Sequence, residues 1–180
     1  NMVLAEAENP WFRSEYIDLR KGDALSLPIP DNSVDVAAQN CLFNIFKIDD
    51  LKKALSEMYR VLKPHGRLVL SDPVCDADMP QALRDDERLR ALCLSGSMPL
   101  KDYIQTITDV GFGTVEIRAR RPYRVLAPGH YETDKLIYIE SVEVCAIKDP
   151  MPSDGACVFT GKTAIYYGGA PFFDDGKGHV

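Results

Sequence analysis

Apolar and polar positions alternate along the chain with two periods, and the periods change in a regular order. Leu51, Ala54, Leu55, Met58 and Leu62 recur at helical spacing behind Asp49-Asp50, which predicts an amphipathic helix stopped by Pro64-His65-Gly66. Val34-Asp35-Val36-Ala37-Ala38 and Arg67-Leu68-Val69-Leu70-Ser71-Asp72 are short, mostly apolar runs, the pattern of strands buried on both faces. Tyr16 to Lys21 reads as a further short strand, and residues 2–9 as a helical stretch ended by Pro10. Residues 80–94, with Pro80 in the first turn, and Pro99 to Val110, closed by Gly111, read as helices. Thr114 to Tyr123 and Leu136 to Lys148 are longer strands joined through Pro128-Gly129, and Thr163–Tyr167 is a short strand candidate in a tail rich in Gly, Pro and Asp. Strands alternating with helices predict an α/β fold with a mainly parallel sheet, and the last two long strands predict an antiparallel hairpin at one edge.

Composition narrows the function classes. The 180 residues are 46% hydrophobic and 27% charged, an ordinary balance for one globular domain. Lys and Arg total 21 against 27 Asp and Glu, a net charge of −6, which argues against a nucleic-acid partner. The apolar runs are too short for a membrane span, so no membrane partner is expected. The five cysteines are widely spaced with no CxxC pair, which fits neither a disulfide framework nor a zinc knuckle and makes a reducing, cytoplasmic setting the expectation.

In an open α/β sheet, ligands bind beyond the carboxyl ends of the strands. Three polar triplets stand at such ends: Gly22-Asp23-Ala24, Gln39-Asn40-Cys41 and Ser71-Asp72-Pro73. The run from Gly22 to Val36, the segment Glu57-Met58-Tyr59-Arg60-Val61-Leu62-Lys63-Pro64-His65-Gly66-Arg67-Leu68, and Asp109-Val110-Gly111-Phe112 together resemble class I S-adenosylmethionine-dependent methyltransferases. The resemblance implies a Rossmann-like sheet and S-adenosyl-L-methionine as cofactor. It places Asp23 where an acid contacts adenine, Ala24 beside the ring, and Asn40 near the methionine part. A carboxylate accepts from an exocyclic amino group, and a small residue leaves room for a flat ring.

Asn40-Cys41, Ser71-Asp72, and Leu92-Cys93-Leu94-Ser95-Gly96-Ser97-Met98 followed by Lys101-Asp102-Tyr103 resemble, more narrowly, the arsenite methyltransferases. Thr160 to Gly169 resembles that family's C-terminal segment less specifically. By this resemblance Cys41 and Cys93 are thiolate ligands of trivalent arsenic, the small-molecule substrate is arsenite or thiol-complexed arsenic, and a thiol reductant is a partner. No other metal is expected. Soft thiolates suit this soft centre better than water or carboxylate. Asp72 and His65 are both conceivable bases. Cys75 lies near the same strand ends, Cys145 reads as core, and Cys157 falls in the Gly-rich tail.

The family's glycine-rich loop is not found: Gly111-Phe112-Gly113 follows a helix and Gly176-Lys177-Gly178 lies in the tail. The resemblance therefore implies that residues 1–148 are the C-terminal part of the methyltransferase domain, without its first two strands, and that residues 149–180 are an accessory segment. In that arrangement Tyr16–Lys21 lacks a neighbouring strand. Two other readings use the same framework: a C- or O-methyltransferase of a quinone, sterol or small molecule, and a non-catalytic fragment that retains the fold.

Overall fold

The computed structural model describes residues 6–161. Its core is a five-stranded mixed sheet with strands β1 (Val34–Asn40), β2 (Leu62–Cys75), β3 (Thr114–Leu126), β4 (Ile137–Ile147) and β5 (Cys157–Phe159) in the order β1-β2-β4-β3-β5. β1 runs parallel to β2, with Val36 opposite Arg67 and Asn40 opposite Ser71. β4 is antiparallel to both of its neighbours, and β5 is parallel to β3. Four strands thus point one way and β4 points the other. The β3–β4 hairpin adds to the β2 side of the sheet with β4 innermost.

The helices are α1 (Ile48–Val61), α2 (Gln81–Arg84), α3 (Glu87–Ala91) and α4 (Leu100–Asp109). α1 buries Leu51, Ala54, Leu55, Met58 and Val61, the stripe its spacing predicts, with Asp49 and Asp50 favourably placed in its first turn. Its face and that of α4 (Tyr103, Ile104, Ile107) pack on Leu68, Leu70, Val142, Val144 and Ala146 of the sheet. A second cluster, formed by Cys75, Met79, Leu83, Leu89, Leu94, Leu126, Ile137 and Ile139, lies under α2 and α3.

Four expectations change. β1 is not buried on both faces: Val34, Ala37 and Gln39 are half-buried, and Asp35, Val36, Ala38 and Asn40 are exposed. Tyr16–Lys21 is not a strand: it begins in a 3-10 turn at Ser14–Tyr16 and stays exposed, since an extended segment with no ladder partner among the described residues leaves its amide groups to water. Pro64-His65-Gly66 does not separate helix from strand. β2 begins at Leu62, and these residues form an irregularity between the Val34–Leu62 and Val36–Arg67 pairs, with His65 at φ 62°. The helix expected over 80–94 is two short pieces, because the Asp86 carboxylate accepts from the amides of Arg88 and Leu89 and so starts a new helix. The candidate strand Thr163–Tyr167 lies outside the described residues.

Candidate active site at the carboxyl ends of β1 and β2

β1 ends at Asn40, and the chain turns sharply at Cys41, whose φ is 58°. A non-glycine residue persists there only where its surroundings over-determine it. The Cys41 amide donates to Ser71 O at 2.9 Å, and the next amide, of Leu42, donates to Gln39 Oε1 at 2.9 Å. Gln39 is itself fixed, because its Nε2 donates to Asp72 Oδ2. The Tyr103 hydroxyl donates to the same oxygen at 2.6 Å. Asp72 is 1% exposed, and its other oxygen, Oδ1, has no hydrogen bond of normal geometry. Burial holds this carboxyl above the usual carboxylate range, against the pull of Tyr103, Gln39 and the nearby Phe43 amide.

Cys93 stands after α3, also at φ 58°, and its thiol donates to Cys41 O at 2.8 Å. The two cysteines, 52 positions apart, therefore meet over the strand ends. Buried Asn44 holds the second segment in place, donating from Nδ2 to Pro73 O at 2.6 Å and, at 3.3 Å each, to Cys93 O and Ser97 Oγ. Gly96 lets this loop lie flat on Asn44. Burial first, then the hydrogen bond and charge of Cys93, then the charge of Asp72, push the Cys41 thiol up to about 12, so it carries its proton at neutral pH.

The remaining candidates are spread around this point. Asn40 is exposed beside Ala38, Gln39, Ser71, Arg118 and Glu143, on a cavity of about 550 Å³ across the sheet face opposite α1. Asp23 is exposed and accepts from the Leu25 amide at 2.9 Å in a tight turn; Ala24 is half-buried. Their loop is anchored to α1 through the Leu27 amide, which donates to Glu57 at 2.7 Å, and no described contact ties it to the cysteine pair. Cys75 turns away into the second cluster, its thiol donating to Ala77 O at 2.9 Å, and burial pushes that thiol up to about 11. Cys145 is buried in β4 and Cys157 is exposed. His65 is exposed and pairs with Asp149 at 2.7 Å, away from the cysteine pair. Among the described residues no His, Cys, Asp and Glu group could hold a metal ion, and no helix is long and apolar enough to cross a membrane. Sequence reasoning named Gln39 and Tyr103 only as members of motifs, without their positioning role, and missed Asn44. The signal that Asn44 and Tyr103 leave is a polar group directly beside a buried apolar residue, Phe43 and Ile104.

The model of a family described as "Methyltransferase domain" matches residues 1–70. An arsenite methyltransferase of Aquipseudomonas alcaligenes is 31% identical over 165 residues, 91% of this chain and 45% of that protein. A demethylmenaquinone methyltransferase of Renibacterium salmoninarum is 46% identical over 60 residues, 33% of this chain and 24% of that one. The crystal structure of an arsenic(III) S-adenosylmethionine methyltransferase from Chlamydomonas reinhardtii superposes with a TM-score of 0.59 at 26% identity, covering 73% of this chain and 44% of that one. The chain spans less than half the length of the arsenite methyltransferases it matches. A strand order in which an antiparallel β4 separates parallel β2 and β3, a polar crevice at the carboxyl ends of β1 and β2, and these matches give the chain the fold of the class I S-adenosylmethionine-dependent methyltransferases, to which it is similar.

Proposed function

We propose that the intact protein methylates trivalent arsenic held by Cys41 and Cys93. The observation that carries this reading is the Cys93 thiol seated on the Cys41 carbonyl, two sulfur-bearing residues from distant segments at one strand end. The curated arsenite methyltransferase relative and the arsenic-methylating structural neighbour support it.

The donor set suits the cofactor. Asp23 has a carboxylate oxygen beyond the one that takes the Leu25 amide, and Asn40 presents its amide at an open cavity. Asp23, Ala24 and Asn40 would hold S-adenosylmethionine, which supplies an electrophilic methyl group when bound. The chain's own residues do the rest. Each sulfur replaces one hydroxide on arsenic: an As–S bond forms, an As–O bond breaks, and the thiol proton leaves with the hydroxide as water. This exchange needs no oxidant or reductant. It also matches a Cys41 thiol that is protonated at neutral pH until arsenic arrives. Two thiolates leave the arsenic lone pair free, and the buried Cys93 turn limits water at that centre. The two left-handed cysteines, each braced by hydrogen bonds, fix where the arsenic sits, and placement within about 3–3.5 Å of the reacting carbon is worth several orders of magnitude in rate.

In the intact protein, Cys41→Ser and Cys93→Ser each abolish arsenite methylation while the fold persists by circular dichroism. Undiminished turnover in either variant refutes the assignment. The local likeness to a demethylmenaquinone methyltransferase supports a second reading, methylation of a quinone ring, for which the cysteines are not needed. Methylated quinone formed equally by wild type and both serine variants selects it.

A further inference from the structure

On the far side of the Cys93 turn lies a second cavity, of about 530 Å³, within the size range of small-molecule sites. Both long helices begin at it. Lys47 precedes α1 and Pro99 precedes α4, and neither helix has a side-chain cap. Helix starts of this kind favour a negative group. Two buried donors at the cavity have no hydrogen-bond partner among the described residues. Ser95, 1% exposed, leaves Oγ unpaired, and Arg90 leaves Nε unpaired, its nearest acid being Glu87 at 3.7 Å. Native proteins rarely leave such groups unmet, so these donors call for an acceptor.

The lining also carries the opposite demand. Asp78 and Asp102 face the same space, and among the described residues neither carboxylate has an ion pair or a hydrogen bond; Lys47 is free as well. Asp85 is occupied by Gln81, and Arg84 Nε donates to Met79 O. The charged lining, Lys47, Arg84 and Arg90 against Asp78, Asp85 and Asp102, sums to zero with both signs present. A simple oxyanion would leave free carboxylates facing it, and a simple cation would face three basic side chains. A ligand carrying both charges meets both demands.

We propose that this cavity binds a small zwitterion of the amino-acid or dipeptide type, with its carboxylate at Ser95, Arg90 and the helix starts and its ammonium at Asp78 and Asp102. Ser95 and Gly96 belong to the turn that carries Cys93, so a bound ligand stiffens that turn. The assignment does not depend on what the cysteines hold.

Isothermal titration calorimetry of the intact protein with L-alanylglycine, N-acetyl-L-alanylglycine and L-alanylglycinamide tests it. The free dipeptide binds, and loss of either terminal charge weakens binding about tenfold or more. Ser95→Ala and Arg90→Gln each weaken it by a similar factor. Removing an unpaired buried hydroxyl leaves Tm unchanged or raises it. No heat at millimolar dipeptide, equal binding of a blocked form, or wild-type binding by Ser95→Ala overturns the proposal. So does a lowered Tm in Ser95→Ala, which would make the hydroxyl structural.

Discussion

Replacing Gly96 with alanine sets a methyl group against main chain. A Cβ at that position lies 1.8 Å from Asn44 O, 2.7 Å from its carbonyl carbon and 3.0 Å from its Cα. Ordinary contact starts near 3.4 Å, so the two segments must part by the difference, about 1.6 Å. Backbone cannot rotate out of the way as a side-chain tip can. The Asn44 amide bonds to Cys93 O and Ser97 Oγ, both 3.3 Å, stretch past hydrogen-bond reach. Each buried polar group left unmet costs about 1–3 kcal/mol, so Gly96→Ala destabilises by about 2–5 kcal/mol. Urea unfolding measures this as a lower midpoint at constant slope. The same shift carries Cys93 away from Cys41, and a displacement above about 1 Å costs roughly a hundredfold where geometry matters. Capture of phenylarsine oxide, a reagent that bridges two thiols, reports that loss by mass spectrometry. A Gly96→Ala protein within about 0.5 kcal/mol of wild type, with capture intact, refutes the reasoning.

Three further outcomes follow from groups with one clear job each. Burial raises the Asp72 carboxyl above 3.8, so the native chain keeps a proton there that the unfolded chain has lost; stability then falls as pH climbs from 3.8 through the raised value. Asp72→Asn removes that downward contribution, and urea midpoints across this pH window that stay parallel to wild type contradict it. Lys148 Nζ donates to Asn32 Oδ1 at 2.8 Å, Tyr59 O at 2.7 Å and Leu62 O at 2.8 Å, tying the end of β4 to the end of α1. Lys148→Met lowers stability by about 2–4 kcal/mol in a thermal melt while phenylarsine oxide capture persists; loss of capture without loss of Tm counts against that division of labour. Iodoacetamide at neutral pH labels exposed Cys157 well before protonated Cys41, and peptide mapping that finds Cys41 labelled first rejects the environment described for it.

The parts of the fold legible in the sequence are those where one local pattern carries the information. Leu51, Ala54, Leu55 and Met58 mark the inner face of α1 without reference to anything else, and the runs around Val36 and Val69 mark their strands. Legibility fails where the outcome depends on a distant partner. Tyr16–Lys21 has strand-forming residues but no ladder to join among the described residues. Pro64-His65-Gly66 reads as a stop, yet the His65 amide finds Lys148 O at 3.0 Å and the strand continues through it. Asp86 could have been read as a helix start, since an acid before a fresh apolar stripe is a capping signal. At the candidate site, Cys41 and Cys93 are singled out by resemblance, whereas Gln39, Asp72 and Tyr103 act through contacts 31 and 33 positions apart. Their trace is an acid inside an apolar strand and a phenol on the buried face of α4.

The placement of β4 has a consequence for synthesis. β3 leaves the ribosome before β4, yet it touches β2 only through β4. A nascent chain halted before Ile137 therefore holds a two-stranded sheet with a bare inner edge, β1–β2, and a lone β3. Completion waits for a strand that threads between them, a long-range closure that favours slow folding and an early need for a chaperone.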